Sequence, residues 1–240
     1  SDALDRGITV TEIAAMDQPV DVSPETTAAF VGRALRGPLN TPVLVTSFGD
    51  FRARFGDIWS RSSLGPAAKQ FFEHGGTRLY IVRVANNARG AMICLPASGS
   101  ALVLRAVEPG STEYVRAAVD YDGLHDEPDE FFNLTLQRVN PGTGLVVDQE
   151  LYRRVSYLEE SEHFVGDTLL TSTLARVEHP YPSHRPEPTM DAGGRIGSGY
   201  VDHAQAGTDG TELSDYDLIG SREKRTGLFA LDQIERFDLL

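Results

Sequence analysis

The stretch from Thr27 to Val84 decides the fold. It opens with Thr27-Ala-Ala-Phe-Val-Gly32, passes Gly37-Pro38, and continues with Pro42-Val-Leu-Val-Thr-Ser-Phe48 and Arg54-Phe-Gly56. It then runs through Gln70-Phe-Phe-Glu-His-Gly-Gly76 to Leu79-Tyr-Ile-Val-Arg-Val84. Short apolar runs at Thr27–Val31, Val43–Val45 and Leu79–Val84 predict buried strands. Between them, Thr46 or Ser47 is positioned to cap a helix carrying Phe48, Phe51 and Phe55 at spacings of three and four, closed by Gly56. Those spacings put the three rings on one helical face, a core stripe. A second helix starts near Ser62–Ser63, carries Ala67, Ala68, Phe71 and Phe72, and stops at Gly75-Gly76 with His74 in its last turn. Trp59, in the loop between the helices, is free to pack locally or to serve an interface. Helices alternating with short buried strands make this an α/β layer with some parallel pairing, too small for a barrel.

Outward from this region the texture changes. After Asn86-Asn87, strand-like runs at Ala101–Val107, Val115–Val119, Phe131–Val139 and Leu145–Val147 are separated by Pro109-Gly110, Asp122-Gly123 and Asn140-Pro-Gly142, which predicts a β-rich module. Pro180 to Gly199 holds four prolines and four glycines and reads as a long surface loop or mobile linker. Beyond it, a short helix is expected around Thr226–Leu231 and a strand start at Phe237-Asp-Leu-Leu240. Ending on a strand start suggests a piece of a longer protein. The fold class is therefore mixed α/β with a β-rich, barrel- or sandwich-like insertion. Its parts are an arm (1–22), an α/β part (23–90), the insertion (91–180), a Pro/Gly-rich loop (181–206) and a return to the core (207–240).

In the other direction, Ile8-Thr-Val-Thr-Glu-Ile13 alternates apolar and polar residues and is strand-like. It is either an edge strand of the chain's own sheet or an extended arm that adds to a neighbouring copy.

Composition narrows the function classes. The chain has 240 residues, 40% of them hydrophobic and 24% charged, with a net charge of −13. Residues 1–90 carry ten Lys/Arg against nine Asp/Glu, so the remainder carries 12 against 26. So acidic a surface argues against general binding of nucleic acid or anionic membrane. No run approaches the roughly 20 apolar residues of a membrane span, and Ser1–Arg6 is acidic with no apolar signal-like region. The single cysteine, Cys94, lies in the apolar run Ala91–Leu95 and reads as a small core hydrophobe of a protein made in a reducing compartment.

Motifs of catalysis and cofactor binding are missing. No phosphate-binding glycine loop occurs. Gly197-Ser-Gly199 has Ile196 where a nucleophile elbow needs glycine, and it reads as a flexible turn. His74, His125, His163, His179, His184 and His203 show no zinc-ligand spacing. The acidic group Asp120, Asp122, Asp126, Glu127, Asp129 and Glu130 does not fit an EF-hand and reads as a solvated loop. Asn133-Leu-Thr135 matches a glycosylation sequon, but it falls inside an expected strand. No catalytic residue, metal ligand or cofactor is assigned.

The ordered set Ile8–Ile13, Phe30–Gly32, Gly37-Pro38, Pro42–Phe48, Phe55-Gly56 and Phe71–Val84 resembles the N-terminal part of contractile tail sheath proteins. Leu104–Gly110 and Phe131-Phe-Asn-Leu-Thr135 are similar to the start and an inner strand of that family's β-rich insertion, although Ser111-Thr-Glu-Tyr114 replaces its usual Trp-Gly-Asn. Gly207-Thr-Asp-Gly210, Asp217-Leu-Ile-Gly220 and Arg225–Leu231 resemble its return into the core. The resemblance implies a structural subunit, with no enzymatic activity, made in the bacterial cytoplasm and assembled into a tail or contractile particle. It implies six-membered rings stacked around an inner tube, with baseplate and tail terminator proteins as further partners. It also implies an inter-subunit arm built on Ile8, Val10, Glu12 and Ile13. The alternatives are a non-polymerising baseplate or binding module on a related domain and, from another class, an α/β hydrolase-like enzyme.

Overall fold

The computed structural model describes residues 26–196 and 199–240. They form two units: one of 26–34, Leu39–Ala85 and Leu213–Leu240, the other of Leu35–Pro38 and Asn86–Glu212.

The first unit is built on strands β1 (Thr27–Gly32), β2 (Val43–Val45) and β3 (Arg78–Arg83) in the order β1-β3-β2. β3 runs parallel to β1 and antiparallel to β2. Period-two alternation sends Ala28, Leu79 and Ile81 to one face, where they meet Phe51, Phe55, Leu64, Ala68 and Phe71. Ala29 and Val82 go to the other face, against Ala230 and Leu231. Both faces are covered, which is why these strands are continuously apolar in sequence. The expected strand start near the end of the chain pairs beside β1: Leu239 bridges Ala28 in parallel, and the Leu239 carbonyl accepts from the Ala29 N–H at 2.7 Å.

Helices α1 (Phe48–Phe55) and α2 (Leu64–Glu73) cover the first face. Phe51 stacks between Phe48 and Phe55, at ring centroids of 5.8 and 5.6 Å. Ser47 caps α1, its hydroxyl accepting from the Asp50 N–H at 3.0 Å, while the Asp50 carboxylate accepts from Thr46 instead. Ser47→Ala is therefore expected to cost about 1 kcal/mol of stability in urea unfolding, with Ser47→Asp restoring most of it. α2 ends in a Schellman arrangement, with Gly76 N–H bonded to the Phe71 carbonyl and Gly75 N–H to that of Phe72. Gly75 sits at φ +90, a backbone position that favours glycine. A 3₁₀ segment, Gly227–Gln233, stands where a helix was expected over Thr226–Leu231.

In the second unit, β4 (Met92–Ala97), β5 (Ser100–Ala106) and β9 (Ala175–Glu178) form one antiparallel sheet. Strands β6 (Val115–Asp120), β7 (Phe131–Val139) and β8 (Val146–Ser156) form another. Ile93, Leu95, Leu102 and Leu104 of the first share one core with Val115, Val119, Phe132, Leu134 and Leu136 of the second, so two sheets pack face to face. β4 and β5 are joined through Ser98 and Gly99, both at positive φ, as a two-residue primed turn requires.

Two expectations are corrected. The 180–199 tract is irregular in structure, yet its described part is not a free linker. Pro182, Pro186 and Thr189 are buried, the Tyr121 hydroxyl donates to the Pro186 carbonyl, and Thr189 exchanges bonds with the backbone of Val119. Proline removes N–H donors that would otherwise need partners, so a Pro-rich strap can lie against a sheet without pairing as a strand. β8, expected only over Leu145–Val147, continues to Ser156. Its polar residues are satisfied across the ladder by Gln137–Gln149 and Arg138–Asp148.

Candidate functional site

The arm positions Ile8, Val10, Glu12 and Ile13 lie outside the described residues, as do Gly197 and Ser198 of the Gly-Ser-Gly turn. What the described chain offers to a partner is backbone edge and exposed apolar side chain. β2 is an edge strand with Pro42 just before it and Leu44 37% exposed; among the described residues no further strand pairs with it. β8 is an edge strand as well, and Leu145, Val146, Val147 and Leu151 stand exposed along it. In the single helical turn Asp215–Ile219, Tyr216 is 86% exposed beside Ile219, one turn on. Open edges and exposed apolar side chains are the features natural proteins use, or must blunt, in chain-to-chain contact.

The histidines do not converge. The His74 ring lies 2.8 Å from the Gln70 carbonyl at the end of α2. His163 meets Phe131 edge-on, His179 lies against Tyr181, His184 reaches Ser183 and His203 meets Tyr114. Among the described residues no group of His, Cys, Asp and Glu is placed to hold a metal ion. Cys94 is half-buried on β4, opposite Val103. Acidic residues of the Asp120–Glu130 loop are engaged with neighbours: Asp120 accepts from Asn133, Glu127 pairs with Arg154, and Asp129 with Arg185. Asn133 is itself buried, with its amide bonded to Asp120 and to the Asp122 carbonyl. Trp59 packs locally, under the guanidinium of Arg33 at 4.5 Å.

One charged cluster escaped the sequence reading because its members are far apart in the chain. Arg138 on β7 is 7% exposed and faces Glu108, Glu113 and Asp148 at 3.3, 2.7 and 2.6 Å. Glu108 and Glu113 are themselves buried. Burial pushes the Glu113 carboxyl above its ordinary range, against the pull of Arg138, and the nearby Glu108 pushes the same way. For Arg138, burial alone would lower the guanidinium, but Glu113 and Glu108 outweigh it and raise it. The cluster holds strand to loop, with Glu108 and Glu113 on its buried side and the Asp148 side chain 49% exposed.

No protein-family model and no curated protein matches the chain. Among solved structures, the sheath tail protein of Listeria innocua is similar, with a TM-score of 0.45 and 11% identity over 92% of this chain and 41% of its own. The sheath tail protein of Desulfitobacterium hafniense is similar with a TM-score of 0.44 and 10% identity, over 97% of this chain and 44% of its own. The chain thus spans about two fifths of the length of either relative. No helix among the described residues is long and apolar enough to cross a membrane.

Proposed function

We propose that this chain is part of a structural subunit of a contractile tail sheath. Copies polymerise as stacked six-membered rings around an inner tube, and contraction drives the tube through a target envelope. The observation that carries the reading is the ordered motif set of residues 27–84, whose aromatics fill one core of a small α/β unit. A scaffold of that kind leaves function to the surfaces between copies. In this reading residues 1–22 are the linking arm, and 23–90 with 207–240 are the sheath-core part. Residues 91–180, with the loop 181–206, are an inserted β-rich module. The arm, through Ile8, Val10, Glu12 and Ile13, adds to a sheet edge of a neighbouring copy. Tube, baseplate and terminator proteins are the further partners; no enzymatic step, nucleic acid or membrane insertion is assigned.

Electron microscopy of the full-length protein tests this. Intact protein is expected to form tubes with sixfold end views, and deletion of residues 1–16 to abolish them while circular dichroism stays native. Normal tubes after the deletion would remove the arm assignment. Intact protein that stays monomeric or closes into isolated rings would point instead to a baseplate or binding module.

A further inference from the structure

Within the second unit, the chain after β8 and the chain after β9 flank an open cleft of about 330 Å³ lined by Tyr157, Leu158, Glu159, Glu160, His179, Pro180, Tyr181, Pro182 and Ser183. Its aromatic wall is fixed from behind. Tyr181 lies edge-on to the buried Phe164 at 5.1 Å, and the His179 ring lies over Tyr181 at 3.8 Å. Pro182 is buried, and the Ser183 N–H donates to the Ser100 hydroxyl at 3.2 Å. Tyr157 packs partly against the core of the unit. A wall held this way is preformed, so a ligand does not have to order it.

The chemistry of the lining is one-sided. It presents aromatic rings, two exposed carboxylates, and neither lysine nor arginine. An anion would be repelled. A neutral polyol could bond to the hydroxyls of Tyr157, Tyr181 and Ser183 but would gain nothing from the charge of the carboxylates. A cation gains from both features together, because ring faces attract positive charge and the carboxylates add to the attraction. The acidic chain as a whole raises the local concentration of cations. We propose that this cleft binds an organic ammonium group, seated among Tyr157, His179 and Tyr181 and drawn in by Glu159 and Glu160. The group has two possible sources, a small quaternary amine or a lysine side chain of another protein. The proposal is independent of the assembly reading.

The test is a titration followed by two-dimensional NMR, with choline, N-acetyl-lysine methylamide, potassium chloride and glucose as probes. Saturable shifts at Tyr157, Tyr181 and Ser183 are expected with one or both organic cations, and not with potassium or glucose. Saturation by choline alone would identify a quaternary amine as the ligand; saturation by the lysine amide would identify a protein side chain. The Glu159→Gln/Glu160→Gln double variant is expected to weaken binding about tenfold while leaving the rest of the spectrum unchanged. Tyr157→Leu is expected to weaken choline more than the lysine amide. No saturation with either organic cation, equal shifts with potassium, or glucose binding untouched by the double variant would each overturn the proposal.

Discussion

Arg138→Leu is expected to destabilise the β-rich unit by about 3–5 kcal/mol at neutral pH, the cost of leaving a buried charge without its partner. Glu108 and Glu113 are 5% and 3% exposed, so they have little solvent to replace the guanidinium's charge. Stability of this cluster also depends on pH, and the sign is set by Glu113. Its carboxyl titrates above the ordinary range in the folded protein because it is buried. Its contribution is therefore complete below the ordinary carboxyl range and is lost as the pH rises through the raised folded value. Removing Arg138 moves that value higher still, so the penalty of Arg138→Leu shrinks as the pH falls. Glu113→Gln imitates the protonated form, so it should match the parent in acid and gain on it as the pH rises through the raised folded value. Glu150 runs the other way: burial would raise it, but hydrogen bonds from Ser172, Tyr152 and Thr173 outweigh that and lower it. Its contribution is lost as the pH falls through its lowered value, but this cancels in the difference between parent and variant. Urea unfolding of the parent and both variants across the acid range checks all three statements. A loss below about 1 kcal/mol for Arg138→Leu would show that the carboxylates behave as surface groups.

Why that cluster could not be read from the sequence, while residues 27–84 could, is a matter of range. In the first unit the signals are local. Ser47 caps the helix that starts at the next residue, Phe48, Phe51 and Phe55 fall on one helical face, and Gly75 stops a helix at its own position. Arg138, Glu108 and Glu113 are brought together only by the pairing of β6 with β7, which carries no local signature. The same holds for the cleft, whose walls come from the chain after β8 and the chain after β9. β4 is hidden for a different reason. Pro96 inside Met92–Ala97 argues against a strand, yet β4 is an edge, where a missing N–H is tolerated. The Pro96 carbonyl instead accepts from Glu187 of the strap. β8 reads too short because Asp148, Gln149 and Glu150 look like a turn, and only their partners on β7 make them strand residues.

Phe55→Ala should remove about 3–5 kcal/mol from the first unit, the usual cost of deleting a fully buried ring. Phe55 is 0% exposed and stacks on Phe51, which stacks in turn on Phe48. The cavity would open beneath the last turn of α1, among Phe51, Leu64 and Ala68 of the same core. Hydrogen exchange separates the consequences by unit. Amides of Ile81 and Val82 in β3 are expected to lose protection in proportion to the lost stability. Amides of Leu104 and Leu134, whose side chains belong to the other core, should change by no more than about 0.5 kcal/mol. Equal losses in both places would mean that the two cores unfold as one cooperative body. The conservative Phe55→Leu variant carries the argument to function. A scaffold residue can be exchanged for one of similar volume at a cost in stability alone, so under the sheath reading proposed above the Phe55→Leu protein should form the same tubes as its full-length parent, with a lower melting temperature. Loss of tubes from a well-folded Phe55→Leu protein would mean that α1 does more than fill the core, and that the motif aromatics themselves shape a contact between copies.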